Sequence, residues 1–293
     1  VIGTLAGAGT LGLLIPPSII MIVYGVTADV SIAKLFIAGV LPGLMLAGLF
    51  SGYIIYWALR YPEQVPANDR QYTFMEKVRE SGSLIPVVCL IAAVLGSIYA
   101  GFATATEAAA VGVVGAMVLS AVQGSLNWPS FKESLMGATR LYCMIALILA
   151  GASFLTLSMG YIGLPRHLAE WIATLGLSQF ELILALTVFY VVLGCFLDGI
   201  SMVVLTMGVI MPTVQKAGID PLWFGIFIVL VVEMAQITPP VGFNLFVLQG
   251  MTGRDLLWIA KATLPMFFLM VVAVLLIYFF PGIVTWMPQQ MKL

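Results

Sequence analysis

The sequence predicts an all-α polytopic membrane protein in which several apolar helices are interrupted near mid-membrane, and three observations lead there. Only 9% of the 293 residues are charged while 62% are hydrophobic. A soluble chain typically carries about 25% charged residues, and a wetted surface cannot be covered with so few. Apolar runs recur at the ~20 residues that a ~30 Å hydrocarbon core requires. Three of the runs are cut internally, two by Pro-Pro and one by a segment carrying Gly194, Asp198 and Gly199. The formal net charge of −1 gives no basis for a nucleic-acid partner.

Uninterrupted runs predict spans near 35–59, 84–100, 105–122, 138–160 and 262–281. The broken ones are 1–25, with Gly7, Gly9 and Gly12 ahead of Pro16-Pro17; 179–215, with Pro212 near its end; and 221–250, with Pro239-Pro240 and Gly242. The longest polar stretch, Arg60 to Ser83, reads as a loop or surface helix between spans. The chain opens on Val1 inside an apolar element, with no charged n-region, so it is not a signal peptide. It reads as a fragment that continues from a missing N-terminal part. Orientation follows from the Lys/Arg bias. With the polar stretch in the cytoplasm and 179–215 folded as a re-entrant hairpin, eight of the twelve basic residues fall inside; Lys34, Arg166, Lys216 and Lys292 fall outside. A full span at 179–215 would move Arg254 and Lys261 outside and spoil the bias.

The two Pro-Pro elements echo each other. Leu14-Ile15-Pro16-Pro17-Ser18 precedes an apolar run ending at Gly25, and Ile237-Thr238-Pro239-Pro240-Val241-Gly242 precedes one ending at Gly250. Under this topology they run in opposite directions, the sequence pointer to inverted repeats with a midplane site. Proline lacks an N–H and clashes with the preceding turn, so Pro-Pro ends a helix. Broken backbone at membrane depth is tolerated only inside protein or beside a water-filled cavity. Exposed carbonyls can then ligate Na⁺, and half-helix N-termini attract an anion. Thr10, Ser18, Gln236, Thr238 and Asn244 would add neutral oxygen ligands and hydrogen-bond donors. The competing reading is a plain proline kink in a packed helix.

Asp198 sits at the predicted hairpin tip beside Gly199 and Ser201. An acid at membrane depth is a functional-site hypothesis by default; an N-cap for the second arm is the other reading, and the two are compatible. Glu233, just ahead of the second Pro-Pro, either orders that break by binding freed N–H groups or lines the substrate path. Thr104-Ala105-Thr106-Glu107 reads as a capped helix start. The run Ala108 to Gly115 lets helices pack closely. Cys89, Cys143 and Cys195 read as small buried hydrophobes, and Trp57, Trp128, Trp171, Trp223, Trp258 and Trp286 as an aromatic belt. The single histidine, His167, reads as an interfacial anchor and leaves no His pair for an intramembrane enzyme. No cofactor is expected.

Four spaced strings carry a resemblance: Gly-Thr-Leu-Gly-Leu-Leu-Ile-Pro-Pro-Ser-Ile-Ile-Met-Ile-Val-Tyr-Gly (9–25), Thr-Ala-Thr-Glu-Ala-Ala-Ala-Val-Gly (104–112), Leu-Gly-Cys-Phe-Leu-Asp-Gly (193–199), and the stretch 218–247 ending in Ile-Thr-Pro-Pro-Val-Gly-Phe-Asn-Leu-Phe-Val. Together they resemble the large membrane subunit of tripartite ATP-independent periplasmic (TRAP) transporters. The resemblance implies a bacterial inner-membrane permease that works with a small four-helix membrane subunit. A periplasmic substrate-binding protein would deliver an organic anion, such as a C4-dicarboxylate, sialic acid or another sugar acid. It implies Na⁺ as coupling ion and an ion-transporter-superfamily fold moving as an elevator. The transport domain would comprise 1–25, a broken helix of the first repeat, and 178–250, the re-entrant hairpin with the second broken helix. Residues 26–177, mainly scaffold helices with the loop 60–83, and the C-terminal helix of 251–293 would form the scaffold. Carried over by motif, Gly12, Pro16, Pro17, Ser18, Asp198, Gly199, Ser201, Glu233, Gln236, Thr238, Pro239, Pro240, Gly242 and Asn244 line the substrate and ion sites, with Asp198, Ser201 and Thr238 as Na⁺ ligands. The sequence departs from the family in lacking the first hairpin, and in Glu233-Met234-Ala235-Gln236, where the family is more aliphatic. A superfamily carrier without a binding protein, or a channel with a carbonyl-lined pore, is the alternative.

Overall fold

A computed structural model describes residues 2–64, 73–240 and 242–291. Asp69 and Arg70 of the polar stretch, Val241 of the second break and Lys292 lie outside the described residues. The described residues form fourteen α-helices and no strand. They are α1 (Ile2–Leu14), α2 (Ile19–Thr27), α3 (Ile32–Arg60), α4 (Phe74–Ser81), α5 (Ile85–Tyr99), α6 (Ala105–Val122), α7 (Trp128–Ile162) and α8 (Leu164–Thr174), followed by α9 (Gln179–Gly194), α10 (Gly199–Lys216), α11 (Pro221–Gln236), α12 (Phe243–Thr252), α13 (Leu256–Phe279) and α14 (Gly282–Gln289). Five helices are long and apolar enough to span a bilayer: α3, α6, α7, α10 and α13. The pair α1 and α2, bent by 44° at its break, makes a sixth if taken as one span.

The helix starts follow from local chemistry. Thr104 and Glu107 form a reciprocal capping box at α6, and Ser178 with Glu181 forms another at α9. Asp220 caps α11 ahead of Pro221, and Asp255 caps α13. Each supplies an acceptor for N–H groups that the first turn leaves unpaired.

The chain divides into two compact units, one of Val1–Phe50 with Tyr142–Gln290 and one around Ser51–Leu141. In the second, α5 and α6 pack together. Gly112 and Gly115 face Val94 and Leu90, as the small-residue run predicts. Cys89 is exposed there, and Cys143 is exposed in the first unit, whereas burial was expected of both. In a chain whose outer surface meets hydrocarbon, a small apolar side chain gains nothing from burial in protein, so exposure costs little.

The first unit contains every interrupted element. Its core is built on α11, in which every residue from Trp223 to Ala235 is buried. Trp223 belongs to that core and not to an interfacial belt; its indole N–H donates to the Ile277 carbonyl at 2.9 Å. The segment 179–215 is a hairpin. Gln179, opening α9, donates from Nε2 to the Ala217 carbonyl just past α10 at 2.7 Å, and the Tyr190 and Thr206 hydroxyls meet at 2.8 Å across the arms. At ~1.5 Å per residue the arms are ~24 and ~27 Å long.

The Pro-Pro elements are antiparallel. Thr10 on α1 lies against Glu233 near the end of α11, while the Tyr24 hydroxyl on α2 donates to the Pro221 carbonyl at the start of α11. α1 packs on both α11 and α12, and α11 on both α1 and α2. That reciprocal pattern is what two inverted copies of one broken helix make.

Candidate ion and substrate site

Each break is short and has its own local cause. α1 stops at Leu14 and α2 starts at Ile19, with Pro16 and Pro17 between them; α11 stops at Gln236 and α12 starts at Phe243, around Pro239 and Pro240. Both Pro-Pro bonds are cis. Ser18 caps α2 by accepting from the Met21 N–H at 3.4 Å. Asp198 caps α10, its Oδ2 accepting from Ile200 and Ser201 N–H at 3.0 and 3.2 Å. α12 begins on Gly242 with no side-chain cap.

The hairpin tip and the second break are in direct contact. The Cys195 thiol donates to the Pro239 carbonyl at 3.1 Å. Gly194 and Gly199 are glycine because α11 passes over them: a Cβ on Gly194 would overlap the Ala235 methyl, and one on Gly199 would stand 2.6 Å from Val232 Cγ1. The same Cβ on Gly199 would come within 3.2 Å of Ile20 on α2 and 3.7 Å of Gln236 Nε2. The start of α10 thus sits where the end of α11 meets the start of α2. Gly9 on α1 faces the Asn244 side-chain amide. These contacts bring the hairpin tip together with the end of α11, with Pro239 and with Ile20 on α2, and Gly9 with Asn244, all within one unit.

Their roles differ. Asp198 is exposed, and its carboxyl makes the cap bonds. Ser201 is half-buried beside it. Thr238 donates its hydroxyl to the Met234 carbonyl at 2.7 Å, closing the last turn of α11. Gly12 is exposed with open space beside it, and Pro17 and Pro240 are exposed while Pro16, Ser18 and Gly242 are buried. Asn244 Nδ2 is buried without a partner. Glu233 does not cap its own break. It is fully buried and reaches across to α1, where its Oε2 lies 3.3 Å from Thr10 Oγ1 and the Leu14 backbone lies beside it. Among the described residues, no three His, Cys, Asp or Glu side chains gather as a metal cluster. Cation ligands here would have to be mostly carbonyl and hydroxyl oxygens, the donor set suited to a hard ion.

Opposed broken helices and a hairpin meeting at their interruptions define a secondary-transporter type of membrane protein. The sequence comparisons specify it further. The family described as Tripartite ATP-independent periplasmic transporter, DctM component, matches residues 1–283, and the chain belongs to that family. A C4-dicarboxylate TRAP transporter large permease protein DctM from Pseudomonas aeruginosa is 34% identical over 288 residues, 98% of this chain and 67% of that protein. The sialic acid TRAP transporter large permease protein SiaM of Vibrio cholerae is 28% identical, covering 98% of this chain and 67% of that protein. The ectoine/5-hydroxyectoine permease UehC of Ruegeria pomeroyi is 31% identical, covering 97% and 66%. The chain thus spans about two thirds of these relatives. It is a multi-pass inner-membrane permease component and not an enzyme.

The Cys195 bridge and the fit of Gly194 and Gly199 under α11 are not visible in sequence. The only available signal was the Gly-Cys and Asp-Gly pairs flanking the tip.

Proposed function

We propose that this permease carries an organic anion into the cell by Na⁺-driven symport. A periplasmic binding protein delivers the anion, and a small four-helix membrane subunit accompanies the permease. The broken helices and the hairpin are the moving part of an elevator. The observation that carries this reading is the meeting of hairpin tip and second break at Cys195–Pro239 and Gly199–Gln236, beside the first break at Ile20. Na⁺ is held by Asp198, Ser201, Thr238 and carbonyls of the second break. The anion is held by Asn244 Nδ2, which has no partner of its own, and by the uncapped N-terminus of α12, whose N–H groups and partial positive charge favour a carboxylate. The relatives named above are named for different solutes, so the sequence family does not select one anion.

Uptake into proteoliposomes holding the intact permease and small subunit tests this. Saturable uptake that needs both a Na⁺ gradient and the binding protein is expected. Non-saturating flux without either is the behaviour of a channel and would overturn the reading; uptake without the binding protein alone would leave a carrier of a different kind.

A further inference from the structure

The charge bias leaves four basic residues on the outer side of the membrane, and two of them come together. Arg166 on α8 and Lys216 at the end of α10 line one cavity of about 360 Å³, with Glu170 and Pro212. Arg166 is engaged with Glu170 at 2.9 Å. Lys216 makes no ion pair among the described residues, although its charge reaches Glu170. A second cavity, of about 220 Å³, is also lined by Ala169 and Lys216. Its walls include Ile172, Leu177, Leu182 and Thr213. A water needs on the order of 10–15 Å³, so both cavities admit a larger group.

Thr213 is 3% exposed, and its hydroxyl has no hydrogen-bond partner. Thr139, Thr187, Thr206 and Thr238 each turn the hydroxyl back onto the carbonyl four residues earlier; Thr213 does not. Buried polar groups are nearly always bonded, so this hydroxyl calls for an acceptor. Thr213 and Lys216, three positions apart, share a face of α10. One hydroxyl proton and three ammonium protons suit an anion with several oxygens. The other helix gives the depth. On α8, which packs on α10, Pro165 and Ala169 are buried, Leu164, Trp171 and Leu175 form an exposed apolar stripe, and Arg166 and Glu170 fall on a third face. An amphipathic helix with an exposed Trp and an apolar stripe lies at headgroup level. The oxygen-rich anion at that depth is a phospholipid phosphate.

We propose that the seam between α8 and α10 binds an anionic phospholipid. Lys216 and Thr213 hold its phosphate, and Ile172, Leu177 and Leu182 receive the apolar carbons next to it. The site depends on the chain's place in a membrane and not on the solute or the coupling ion.

Native mass spectrometry of the intact transporter in detergent tests it, with dioleoyl phosphatidylglycerol, dioleoyl phosphatidylcholine and inorganic phosphate titrated separately. Phosphatidylcholine carries the same phosphate with a balancing cation, so an unpaired lysine is expected to favour phosphatidylglycerol. Lys216→Gln is expected to weaken that binding about tenfold and Thr213→Val about fivefold, while Lys132→Gln, exposed on α7, leaves it unchanged. Equal binding of the two lipids, or an equal loss from Lys132→Gln, is general attraction and would overturn the proposal. So would inorganic phosphate held with no lipid retained, which would make this a site for a free anion. Thr213→Val is nearly isosteric and keeps the test open if Lys216→Gln does not fold; undiminished phosphatidylglycerol binding by it would overturn the assignment of the hydroxyl.

Discussion

The two Pro-Pro elements share a break and differ in almost everything around it. In α1, Leu5, Ala8, Gly9 and Gly12 are exposed; in α11 every residue from Trp223 to Ala235 is buried. The first break hands over to a helix capped by Ser18, the second to a helix that starts uncapped at Gly242. At matching positions one carries Thr10, the other Glu233. Prolines fix the shape of a broken helix, and the neighbouring side chains then decide its task. On our reading, the first element supplies room beside Gly12, and the second supplies polar groups that lack partners of their own.

The largest expected effect comes from healing the breaks. Pro239→Ala with Pro240→Ala restores N–H groups and removes the ring clashes, which shifts the carbonyls of the second break. Uptake is expected to fall tenfold or more, since misplacing a site by about an ångström can cost on the order of 100-fold. Pro16→Ala with Pro17→Ala is expected to cost less, because fewer of the proposed ligands lie there. Equal losses in transport assays would erase the asymmetry.

Next is Asp198→Asn. Asparagine caps helices about as well as aspartate, so the melting temperature should hold while the Na⁺ concentration for half-maximal uptake rises. An unchanged Na⁺ dependence would leave Asp198 as a cap alone. Ser18→Ala is smaller and acts on stability: losing the α2 cap is worth ~1 kcal/mol, readable by thermal unfolding in detergent. No comparable cap exists at α12 to lose. Smallest of all is Arg166→Ala on α8. Its exposed pair with Glu170, at 2.9 Å, holds the Glu170 carboxyl below its ordinary range. Removing it is expected to raise that pKa and to leave both uptake and melting unchanged, as exposed pairs contribute little.

Much of this was legible in sequence because it rests on backbone chemistry. Proline breaks and the caps at Thr104 and Asp198 are local, and they appear where expected; the apolar run 84–100 does not, since it forms only the 15-residue α5, too short to be a span, while α10, expected as one arm of a re-entrant hairpin, is long enough to be one. The hairpin was inferred from charge bias alone, and the Gln179–Ala217 contact gives it a geometric basis. What was not legible is pairing across the chain. Glu233 reads as a servant of its own break, yet its partner lies 223 positions away on α1. Cys195 reads as filler, yet it holds the hairpin tip to Pro239. Trp223 reads as an interfacial ring, yet it finds a carbonyl within the core. Periodicity reports which face of a helix is apolar; it does not report which helix that face meets.

The central claim is that substrate and Na⁺ sit where the breaks meet the hairpin tip. A high-resolution map of the intact transporter, loaded with its anion in Na⁺, tests it most directly. The account predicts anion density against Asn244 and the start of α12, and ion density among Asp198, Ser201 and Thr238. Well-ordered substrate density elsewhere, with this junction empty, would contradict it.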